Sequence, residues 1–67
     1  MTTSMTALDR HDPRYRGIVD KIAKASHRAF IEAGCPVPEW FEDTNLSVAF
    51  DFVDEIVYRG REIEERT

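Results

Sequence analysis

Cysteine occurs once in the 67 residues, at Cys35, so no disulfide can form within the chain, and a domain this small loses one of its usual supports. A solitary thiol also suits a reducing compartment, which points to a cytoplasmic protein. Histidine is nearly as scarce. His11 and His27 lie 16 residues apart, with no cysteine pair or His-x-x-x-His spacing beside either, so no metal and no other cofactor is expected. Glycine occurs only three times, and no glycine-rich loop exists to cradle a phosphate. No apolar run approaches the roughly 18 residues of a membrane-spanning helix. The opening MTTSMTALDRHD has neither the basic nor the apolar segment of a secretory signal.

Basic residues are missing from one long interval. Between Glu39 and Tyr58 the chain carries six carboxylates and neither lysine nor arginine. Residues 1–38 hold six basic side chains against four acidic, a balance of +2, whereas residues 39–67 hold three against nine, a balance of −6. Nucleic-acid binding needs a basic surface that displaces counterions from phosphates, so the asymmetry argues against direct binding of DNA or RNA. Seven arginines against two lysines accompany GC-rich coding and point to a prokaryotic or phage origin.

What is present reads as two helices. Residues 1–11 are Thr- and Ser-rich, and a flexible arm is expected there. Asp12 can accept the free amides of a first helical turn, and Pro13 suits the first helical position because it has no amide hydrogen to leave unbonded. From there Tyr15, Ile18, Val19, Ile22, Ser26, Ala29, Phe30 and Ala33 recur at helical steps, opposite a face of Asp20, Lys21, Lys24, His27 and Arg28. Ala25, Ser26, Ala29 and Ala33 would let another helix approach closely. Gly34 and Pro36 end this helix, expected over about 13–33. The connector, 34–44, contains two prolines and the Trp40-Phe41 pair. The second helix is expected over about 45–65, capped by Thr44 or Asn45, with a seam of Leu46, Ala49, Val53, Ile56, Gly60 and Ile63 that Phe50 and Val57 widen. Glu55 and Arg59 stand four residues apart in the favourable order.

Val48 and Phe52 lie outside that seam, about 90–130° from its centre at 100° per residue. A helix with one neighbour needs one apolar stripe, and the second helix has enough for two neighbours. The expected fold is therefore all-α, an antiparallel two-helix hairpin with a Pro/aromatic connector, dimerising into a four-helix bundle.

Four other functional readings arise. Asp51, Asp54 and Glu55 fall within a turn and a half and could hold Mg²⁺ in a metal-dependent hydrolase subunit, but such sites need a second acidic helix, and the first helix is basic. Cys35 follows a helix C-terminus, whose negative end disfavours a thiolate, so no catalytic residue is expected. A helix-turn-helix needs a connector of roughly 3–4 residues, far shorter than 34–44. An acidic surface could instead mimic nucleic acid, as in an inhibitor or antitoxin-like protein. The favoured reading is a small non-enzymatic protein-interaction module, an accessory or regulatory protein that binds itself or a larger host protein. Its expected partner-binding residues are Glu39, Trp40, Phe41, Glu42, Val48, Asp51, Phe52 and Glu55. Aromatics on a proline-stiffened loop supply contact area at little entropic cost.

Overall fold

The structure, a computed structural model, describes residues 7–66. It is all-helical, with α1 over Pro13–Glu32 and α2 over Phe41–Arg66 packed against each other. They run antiparallel: Tyr15 meets Asp54, Ala23 meets Asn45, and His27 meets Phe41.

The boundaries of α1 follow from local chemistry. Asp12 is extended at φ −70° and ψ 128°, and its carboxylate accepts the Arg14 amide at 2.9 Å with Pro13 next in line. At the other end the Gly34 amide donates to Ile31 and the Cys35 amide to Phe30. That is a Schellman closure, which needs a left-handed residue, and Gly34 supplies it at φ 79°.

The start of α2 departs from expectation. Helix begins at Phe41, so Phe41 to Thr44 form the first turn and neither Thr44 nor Asn45 is a cap. The Phe41 amide donates to the Pro38 carbonyl and the Thr44 amide to that of Trp40. Glu42 and Asp43 then lie in the first turn, where the positive end of the helix favours carboxylates. Asn45 has a different task. Its side-chain amide donates to the Ala23 carbonyl at 2.7 Å, tying the two helices together.

Leu8, Tyr15, Val19, Ala49, Val53 and Val57 form the core, flanked by Ile22, Ala23, Leu46 and Phe50. The inward positions recur every four residues: Tyr15, Val19, Ala23 and His27 on α1, and Phe41, Asn45, Ala49, Val53 and Val57 on α2. These rows take every fourth residue, where the expected seam alternates steps of three and four. The seam expected from sequence is thus corrected. Ile56 and Ile63 are exposed, and Val57, expected at the margin of the seam, is buried. Ala25, Ala29 and Ala33 are exposed as well, not on the buried side.

The flexible arm expected over 1–11 is corrected for its second half, its first six residues lying outside the described ones. Leu8 is only 5% exposed and belongs to the core. The Asp9 carboxylate accepts the amides of His11 and Asp12 in a turn that leads into α1, and Arg10 is bonded to Asp54. α2 outruns α1 at this end, and Leu8 covers the inner face that α1 does not reach.

Truncation separates these roles. Leu8→Ala and Val19→Ala are each expected to lower unfolding free energy by about 2 kcal/mol or more, and Ile63→Ala by less than about 0.5 kcal/mol. Urea unfolding reads all three; an unchanged midpoint for Leu8→Ala would mean that the segment is not part of the core.

Candidate interaction surface

Beside each inward row lies a row displaced by one residue in the same rotational sense. On α1 it is Arg14, Ile18, Ile22, Ser26 and Phe30. On α2 it is Thr44, Val48, Phe52 and Ile56. In an antiparallel pair, rows displaced in the same sense come to the same side. Ser26, Phe30, Thr44 and Val48 do line one cleft of about 600 Å³ with Trp40 and Phe41. Apart from Arg14, Ser26 and Thr44 this side is apolar, and most of it is bare. Phe52 is 52% exposed and Val48 58%, with Ile18, Phe30 and Ile56 exposed beside them.

The opposite side is covered and charged. Arg10 and Arg16 stand over the Phe50 ring at 5.2 and 5.4 Å. The Tyr15 hydroxyl donates to Asp54 and lies 3.2 Å from the Phe50 carbonyl oxygen. Asp54 also accepts from Arg10. Arg16, Asp20, Lys24, His27, Arg28 and Glu42 border a shallow cleft of about 430 Å³ on this side.

The expected binding residues divide accordingly. Val48 and Phe52 lie on the bare apolar side, and Trp40, 64% exposed, stands at its end. Phe41 is half-buried, its ring edge-on to Phe30 at 5.2 Å and tilted on His27 at 5.7 Å. Of the pair it is Trp40 that faces outward, and His27 is half-buried under Phe41 instead of facing solvent. Glu42 is turned to the charged cleft. Glu39, Asp51 and Glu55 are exposed, Glu55 bonded to Arg59. Ile18, Ile22 and Phe30 complete the apolar side and were assigned from sequence to the core. Their signal was quantitative: one neighbour covers about one row, and α1 carries two.

The acidic residues do not converge. Asp54 faces Arg10 and Tyr15, whereas Asp51 and Glu55 lie on the outer face of α2, and among the described residues no three His, Cys, Asp or Glu side chains form a metal-holding group. Among the same residues no helix is long and apolar enough to cross a membrane. Compared with known proteins, the chain matches no protein family, and no curated protein or solved structure is significantly similar to it.

Two carboxyls carry a pH signature. The Arg14 guanidinium, then the Arg14 amide, hold Asp12 at about 2, below the ordinary 3.8. Arg10, then the Tyr15 hydroxyl, hold Asp54 below the same ordinary value. A depressed acid stabilises the fold above its unfolded pKa and loses that contribution as pH falls through the folded one. Stability is therefore expected to be level down to about pH 5 and to fall between about pH 4 and 2. Asp12→Asn and Asp54→Asn should each flatten that fall in urea midpoints measured across the range. An unaltered slope in both variants would remove these carboxyls from the explanation.

Proposed function

We propose that this protein is a non-enzymatic helical interaction module that works by docking its apolar side against another helical surface, beginning with a second copy to form a four-helix bundle. The single observation that carries the reading is the bare row of Val48, Phe52 and Ile56 beside Ile18 and Phe30. Three features support it. The two helices packed side by side form a single layer, and domains ordinarily close a core between two layers. Large contiguous apolar patches on small proteins mark interaction sites. The aromatic and branched side chains here are also of the kind that anchors interfaces.

Phe52→Glu places a charge at the centre of this side, at a position whose side chain the monomer leaves half in water. The expected result is a mass of two chains by light scattering for the wild type and of one chain for Phe52→Glu, with helical circular dichroism unchanged. A variant that stays associated would show that the apolar side is not the interface.

A further inference from the structure

Resting on the reading that the apolar side binds a second copy, the arrangement of charge around that side points to one geometry for the pair. We infer that α1 of each copy lies on α2 of the other, with the two-fold axis running along the helices. Two copies meeting face to face have two simple choices. With the axis along the helices, each α1 covers the partner's α2. With the axis across them, α1 covers α1 and α2 covers α2.

The residues flanking the apolar side distinguish the two. Helices meeting in a bundle choose partner and orientation by the charges beside their apolar stripe. On α1 the charged groups in and beside the apolar row, over the length shared with α2, are Arg14, bonded to Asp12, and Lys21, both exposed. On α2 the flanking positions carry Asp43, Asp51 and Glu55, all exposed, Glu55 bonded to Arg59 and no basic residue before it. The side therefore has one basic edge and one acidic edge. An axis across the helices would set the carboxylates of one copy against those of the other and the basic groups against their own kind. An axis along them sets each basic edge on an acidic one. Opposed like charges work against an assembly and opposed unlike charges select it.

The register agrees. Because Tyr15 meets Asp54 and Ala23 meets Asn45, Arg14 stands level with Glu55, Ile18 with Phe52 and Ile22 with Val48. Rotation about an axis along the helices keeps each residue at its level. It brings Arg14 to the partner's Glu55, Ile18 onto the partner's Phe52, and Ile22 onto the partner's Val48. Every neighbouring pair of helices is antiparallel in either arrangement, so the helix dipoles oppose favourably in both and the edge charges make the choice.

Cysteine cross-linking tests the geometry. In a Cys35→Ser background, which removes the native exposed thiol, Ile18→Cys and Phe52→Cys are made as separate chains, since both positions are partly exposed and tolerate a smaller side chain. Each is oxidised alone and as an equal mixture, and covalent dimer is read on a non-reducing gel beside the light-scattering mass. The expected result is a mass of two chains and at least about fivefold more covalent dimer in the mixture than in either chain alone. Phe52→Cys linking to itself as readily as in the mixture, or no covalent dimer from a two-chain species, overturns the geometry and leaves self-association standing. A mass of one chain overturns the self-association on which the geometry rests.

Discussion

Along the line where α1 meets α2, Val19 is fully buried against a face of α2 built from Ala49, Val53 and Val57. A pair of helices has one such line, and everything else about the molecule follows from where it runs. It follows positions four residues apart on both helices, which places small and branched side chains inside and leaves the next row outward on each helix unopposed. On one side Arg10, Arg16 and Tyr15 close over Phe50 and Asp54. On the other side Phe52 is left half in water. The asymmetry between a capped side and a bare side is the central property of the fold.

Asp54 ties the capped side together. It accepts the hydroxyl of a buried tyrosine and the guanidinium of Arg10, and Arg10 lies two residues beyond Leu8, which fills the core where α1 has ended. An exposed ion pair contributes only about 0–1 kcal/mol. Its value here is positional, because it holds the segment whose leucine contributes hydrophobic burial. Burial, and the bond to Asp54 after it, also hold the Tyr15 hydroxyl above its ordinary range, so it remains a donor under all mild conditions.

Much of the architecture could be read from residues. Asp12, Pro13, Gly34 and Pro36 mark the ends of α1 through chemistry that acts within a few residues, and that chemistry is the same in a sequence and in a fold. The start of α2 was misjudged because Thr44 and Asn45 are good caps by type, while a carbonyl from Pro38 and a tertiary bond from Asn45 to Ala23 decided the outcome. The core seam was misjudged for a related reason. Apolar positions on α2 satisfy both a three-four seam and a four-residue row, and the choice between Ile56 and Val57 depends on how the partner helix crosses. Leu8 was missed because a lone leucine among polar residues has no periodicity. The surplus at Val48 and Phe52 was legible, since it follows from counting apolar faces against available neighbours.

The bare row is central, flanked by one basic and one acidic edge, and ends at an exposed tryptophan beside a proline-stiffened loop. On the proposed reading these features let the surface select its partner and the partner's orientation. Folding and association are linked on the same reading, because a second copy would bind only the folded helix pair. The most direct measurement is the melting temperature of the wild-type chain over a hundredfold range of protein concentration. A melting temperature that climbs steadily with concentration is the predicted result. One that stays constant, with unfolding still cooperative, would contradict the claim that the bare side is covered by another copy.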